Sequence, residues 1–157
     1  MVLSGGLIWS MEEPTGRSPN GIELPEDSRN WRVIASSHRT DNYTLRLILG
    51  SGVAIEAAHA GNINPWPDGS ILAKVVWKDA THDKGPTAIV PGEFVQAEFL
   101  VKDAKKHAAT GGWGFARWLG TEQKPYGSDA SFVQECFGCH TPVKDNDYVF
   151  TRPATFP

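Results

Sequence analysis

The run Ile71-Leu72-Ala73-Lys74-Val75-Val76-Trp77 decides the fold class. Successive side chains of a strand point to opposite sides, so Ile71, Ala73, Val75 and Trp77 share one face while Leu72, Lys74 and Val76 share the other. Both faces are apolar except for one ammonium, the pattern of a strand covered on both sides. Lys74 is then an anomaly: a charge at such a position is costly unless it snorkels to an edge or finds a partner.

Residues 31–36, 43–49, 70–78, 94–101 and 112–119 are short runs rich in β-branched and aromatic side chains and read as strands, the first two as a hairpin or as neighbours. Residues 51–60, with Ala54, Ala57 and Ala58, suit a short helix ended at Gly61. A second helix is expected over 103–109 with Asp103 as N-cap. A third, over 129–137 and capped by Ser128 or Asp129, runs into the cysteines. Pro65-Trp66-Pro67-Asp68-Gly69 is a turn. About five strands with three short helices make an α+β fold, mostly antiparallel β-sheet with a few short helices, the C-terminal one carrying the cysteines.

A chain of 157 residues argues for one domain, placed at 30–157. Residues 1–29 read as an extended, loosely held lead-in: 12–29 are rich in Pro, Gly, Ser and acids, and the mildly apolar first nine residues read as the stub of a leader or an added start. Fifteen basic against eighteen acidic residues, with no basic block, argue against a nucleic-acid partner. No apolar run is long enough to span a membrane. Six Trp, seven Phe and three Tyr could wall a large planar ligand, although a small β-rich core also consumes aromatics.

The two cysteines stand as Cys136-Phe137-Gly138-Cys139-His140. C-x-x-C-H is the attachment sequence for c-type haem: two thiols three residues apart each add to a vinyl group, and the adjacent imidazole reaches the iron. A thioredoxin-like pair belongs early in a βαβ pattern that is absent here. A structural zinc site needs two further ligands, and His38, His59, His82 and His107 have no paired spacing. Chance produces such a run on the order of once in a thousand chains. Haem c, held by two thioethers, is the cofactor expected, and c-type maturation outside the bacterial inner membrane places the protein in the periplasm.

His140 is the axial metal ligand by position. A His/Met electron carrier is close to excluded, because the motif lies late in the chain and the only methionines are Met1 and Met11. A bis-His carrier through another histidine stays open as a poorer reading; an open iron face, for small-ligand binding or catalysis, is favoured. Besides Lys74, two charged residues within strands are site candidates: Arg46, facing away from Leu45, Leu47 and Leu49, and more weakly Glu98. A solvated strand face is the plainer account of Glu98.

These strings, in this order, resemble the cytochrome P-460 family, which also contains the cytochromes c′-beta. The resemblance covers about Trp31 to Pro153. It rests on Tyr43-Thr44-Leu45-Arg46, on Pro67-Asp68-Gly69-Ser70-Ile71-Leu72-Ala73-Lys74, on Glu98-Phe99-Leu100-Val101-Lys102-Asp103, on Gly112-Trp113-Gly114-Phe115-Ala116, and on the cysteine motif followed by Asp147-Tyr148-Val149-Phe150-Thr151. It implies a homodimer with one c-type haem, His140 as its ligand. It also implies a lysine bonded to a porphyrin meso carbon, which by position matches Lys74, with Lys78 as the nearby competitor.

The activity implied is oxidation of hydroxylamine at the open iron position, through an iron–nitrosyl, to nitrous oxide, with electrons passed to a soluble acceptor such as another cytochrome. That chemistry needs a group near the iron that takes protons; Glu98 and Arg46 are candidates, with Ser131 or Asp129 as further groups near the haem edge. The alternative is a cytochrome c′-beta-like protein that binds nitric oxide or carbon monoxide without turnover, its pocket capped by aromatics drawn from Trp66, Trp77, Phe94, Phe99, Trp113 and Phe115.

Overall fold

Alternation in residues 71–77 predicts a two-sided strand, and the structure, a computed structural model describing residues 16–155, places that strand near the middle of a sheet. Six strands pair in chain order: β1 (Arg32–Arg39), β2 (Thr44–Gly50), β3 (Ile71–His82), β4 (Gly85–Lys102), β5 (Trp113–Leu119) and β6 (Lys124–Pro125). Every neighbouring pair is antiparallel. Helix α1 (Gly52–Ala60) fills the β2–β3 connection and packs on β1, β2 and β3, while α2 (Val133–His140) follows the sheet and packs on β5. Gly61, at φ +69, ends α1 where the sequence expects it to end. No helix among the described residues is long and apolar enough to cross a membrane.

Two cores result, one on each face of the sheet. Ile48, Leu72, Leu100, Trp113 and Phe115 face the helices and pack with Ile34, Ile55, Trp66 and Val149. On the other face Ala73, Ala97, Phe99, Ala116 and Trp118 pack with Ile22. Phe99 meets Trp31 and Trp118 edge-on, with ring centroids 6.2 and 5.4 Å away. Contacts of this kind add about 0.5–1.5 kcal/mol each beyond burial of their area.

The cover of this second face comes from residues 16–31, the described part of the stretch whose composition suggests a loose lead-in. Trp118 Nε1 donates to the Gly16 carbonyl at 3.0 Å, and Asn20 Nδ2 donates to the Phe115 carbonyl at 2.7 Å. Ser18 and Ile22 are buried. Composition alone misleads here because few side chains do the anchoring. The expected leader stub lies in residues 1–15, outside the described residues.

Strands β3 and β4 run beyond the expected 70–78 and 94–101. Their outer halves form a hairpin that projects past β2 and β5, and its exposed side chains leave no burial alternation to read. The helix expected over 103–109 is instead a set of turns ending in a 3-10 turn at Ala108–Thr110. Asp103 Oδ1 does accept the Lys106 N–H, as a cap would, but Gly111 and Gly112 both take left-handed φ and stop the coil after one turn. The last helix starts later than expected: Asp129 caps a 3-10 turn at Ala130–Phe132, and α2 then carries the whole C-x-x-C-H run.

Gly111 sits at φ +68 against the Tyr148 ring, which a Cβ at that position would overlap. Gly120 has a similar φ of +62 with nothing within 4 Å. Gly120→Ala should therefore cost only the left-handed penalty, about 1–2 kcal/mol. Gly111→Ala should cost clearly more; chemical denaturation of the two variants side by side checks the order.

Candidate functional site

Antiparallel register turns residues distant in sequence into neighbours. Ile48 lies beside Lys74, Lys74 beside Glu98 and Glu98 beside Arg117, one row across β2 to β5 on the helix-covered face. Lys74 is therefore partnered: its Nζ stands 2.7 Å from Glu98 Oε2, with both side chains mostly buried. Gln96 Nε2 donates to Glu98 Oε1, and Arg117 Nε lies 3.9 Å from that same oxygen. Arg117 Nη1 is 3.8 Å from Glu135 Oε1 on α2. This series of contacts ends at Tyr126, whose hydroxyl donates to Glu135 Oε2 at 2.9 Å and whose ring centroid lies 4.4 Å from the Arg117 guanidinium carbon.

Helix α2 closes this row into a cavity of about 150 Å³, lined by Lys74, Glu98, Phe115, Arg117, Glu135, Cys136, Cys139 and His140. Both cysteines are free thiols, and their spacing of three puts them on one side of the helix. Burial pushes the Cys136 thiol up, so it is protonated at neutral pH. His140 is the best oriented group. Its Nδ1 lies 2.6 Å from the Tyr148 carbonyl, which can only accept, so Nδ1 carries the hydrogen and Nε2 keeps a free lone pair. Burial lowers its pKa and favours the neutral imidazole, the ligating form. Phe115 and Phe150 stand on the ring with centroids 5.2 Å away.

This donor set suits a covalently held haem: two thiols on one helix side, a neutral imidazole with one nitrogen fixed and the other available, and aromatic neighbours. Arg117 Nε is buried with no hydrogen-bond partner among the described residues, on a side chain that lines the same cavity. The enclosed space is small, below the roughly 300–1,000 Å³ of typical ligand pockets.

Of the residues singled out from sequence, Lys74, Glu98, Cys136, Cys139 and His140 come together here. Arg46 shares the sheet face but does not line the cavity; its Nε donates to Thr44 Oγ1 at 3.3 Å, and burial and then the Arg39 charge lower its pKa. Lys78, opposite Thr44, is exposed at the end of the β2–β3 pairing. Asp129 Oδ1 accepts the Ser131 N–H, and neither residue lines the cavity.

His38 pairs with Asp79 and His82 Nδ1 accepts the Lys84 N–H, while His59 and His107 lie outside the cavity. A bis-histidine arrangement therefore has no second imidazole in this pocket. Among the aromatics expected to cap it, Trp77 and Phe94 pack on each other, and the Phe99 ring belongs to the opposite face. Trp66 and Trp113 are buried in the core on the helix-covered face without lining the cavity, whereas Phe115 lines it. Sequence reasoning missed Arg117 and Glu135. Arg117 was legible in principle, as a lone charge in the apolar run Trp113–Leu119, whereas Glu135 needed the tertiary position of α2.

No curated protein matches the chain. The family model of Cytochrome P460 matches residues 25–151, a span that holds the whole sheet and the C-x-x-C-H helix. That match agrees with a donor set suited to haem and with an α+β fold dominated by antiparallel sheet, and the chain belongs to the cytochrome P460 family, proteins of haem-based redox chemistry.

Proposed function

We propose that this protein is a periplasmic mono-haem c-type cytochrome that oxidises hydroxylamine, with Cys136 and Cys139 as thioether anchors, His140 as axial ligand and Lys74 bonded to the macrocycle. One observation carries the reading: an amine and a carboxylate 2.7 Å apart share a cavity with both thiols and the imidazole. A bound haem supplies an open iron position that accepts electrons from a nitrogen ligand. The rest falls to the chain. Glu98 Oε2 is placed to receive a proton from Lys74 Nζ, and Glu98 and Glu135 are the cavity's proton acceptors for an oxidation that releases protons. Arg117 bridges the two carboxylates, and Phe115 with Phe150 keeps water from the imidazole.

Electrons pass to a soluble acceptor such as another cytochrome. The periplasm is the compartment that thioether attachment requires. A homodimer is the assembly the family resemblance implies, and the projecting β3–β4 hairpin with exposed Ile89 offers a surface for it. A cytochrome c′-beta-like binder of nitric oxide or carbon monoxide is the second reading. It is supported by Phe115, an apolar ring of the expected capping set that lines the cavity.

Protein matured in a host with c-type machinery should show a red-shifted, broadened ferrous Soret band and an abnormal pyridine adduct, both lost in Lys74→Ala. An ordinary high-spin c-type spectrum in the unaltered protein would remove the cross-link and favour the gas binder. Glu98→Gln should lower hydroxylamine turnover by roughly 10²–10⁴-fold while carbon monoxide still binds. Steady-state assay with an artificial acceptor measures it, and unchanged turnover would take Glu98 out of the proton path.

A further inference from the structure

We propose that the buried Lys102–Asp147 ion pair is the positioning device for His140: it locks the corner whose carbonyl holds the imidazole, and so sets the donor strength of the axial ligand. The inference rests on the haem reading above. Lys102 Nζ lies 2.7 and 2.8 Å from the two Asp147 oxygens, with the side chains 5% and 8% exposed. Asp147 Oδ2 also accepts the Trp66 N–H at 2.8 Å, and the Asp147 carbonyl accepts Trp113 Nε1 at 2.7 Å. The ammonium sits 4.8 Å from the centroid of that same Trp113 ring. Both ends of Asp147, carboxylate and backbone, are thus fixed to the sheet.

The backbone at this corner is not one the chain adopts on its own. Asp147 and Tyr148 are consecutive left-handed residues, at φ +49 and +60. Each costs about 1–2 kcal/mol in that region, and such conformations persist where their surroundings over-determine them. The product is one carbonyl direction: Tyr148 O accepts the hydrogen of His140 Nδ1 at 2.6 Å. A buried ion pair is weak evidence for stability, since apolar residues of similar volume often serve as well. What apolar residues would not supply is this hydrogen-bonded anchoring of the corner. A strong bond at Nδ1 raises the basicity of the other nitrogen, which favours ferric over ferrous iron.

The test compares holoproteins carrying Asp147→Asn, Lys102→Met and the charge-keeping Lys102→Arg. Asp147→Asn and Lys102→Met should retain thioether-bound haem, move the iron–histidine stretching band of the ferrous protein to lower frequency, and raise the midpoint potential. A tenfold shift of the reduced-to-oxidised ratio corresponds to about 59 mV, and a rise of that order is expected. Lys102→Arg should stay nearer the parent. A lower melting temperature with band and potential unmoved would overturn the inference and leave the pair purely structural. If the first two variants fail to fold, Lys102→Gln, which removes the charge but keeps a donor for Asp147, carries the same comparison: a shifted band supports the inference and an unshifted one overturns it. Parent protein lacking any iron–histidine band would instead overturn the haem reading, and this inference with it.

Discussion

Cross-strand register is the constraint on which the site depends. Lys74, Glu98 and Arg117 lie 19 or more residues apart in sequence and touch only because β3, β4 and β5 pair with 74 opposite 98 and 98 opposite 117. A slip of one residue in any pair would send a charge into the packed opposite face, among Phe99, Ala97 and Trp118. The apolar residues that flank the three charges are therefore as much a part of the site as the charges. Leu72 and Val76 on one side of the pleat and Ala73 on the other are all buried, and any shift would set each against the wrong core.

Burial on both faces asks for a cover on each side, and the chain supplies two of different kind. The face carrying the charges is covered by α1, α2 and the segment after α2, elements that leave a gap at the charged row. The opposite face is closed by residues 16–31, held through backbone carbonyls and a ladder of edge-on aromatic rings. The closed face gives rigidity while the gapped face gives access. This division explains why so much of the aromatic content lies away from the cavity.

What could be read in the sequence was whatever local pattern dictates. Residues 71–77 announced a two-sided strand, Ala-rich residues ending at Gly61 announced α1, and C-x-x-C-H announced its own chemistry. The failures have physical causes. Residues 79–93 are held mainly by backbone pairing and are mostly exposed, so their side chains carry no period. Residues 103–109 begin like a helix but meet two left-handed glycines before a second turn can form. The anomaly at Lys74 was visible, but its answer, Glu98, lay on another strand and read by itself as a solvated position. Lys102 and Asp147 gave no sign of their partnership, because nothing local distinguishes a buried charge that has a mate from an exposed one without.

The order of elements along the chain has a bearing on how such a protein is made. Every strand of the sheet is complete before α2 begins, and α2 with the corner at Asp147 and Tyr148 comes from the last quarter of the chain. The sheet and its closed face can thus assemble first, with the cysteine-bearing helix docking afterwards. If haem is attached as proposed, both thiols are open to the attaching machinery in that interval. Final docking then buries Cys136 in part, seats the imidazole and sets the charged corner on Trp113. Under the proposed haem attachment, modification of the thiols and assembly of the sheet are separable in time because they belong to different parts of the sequence.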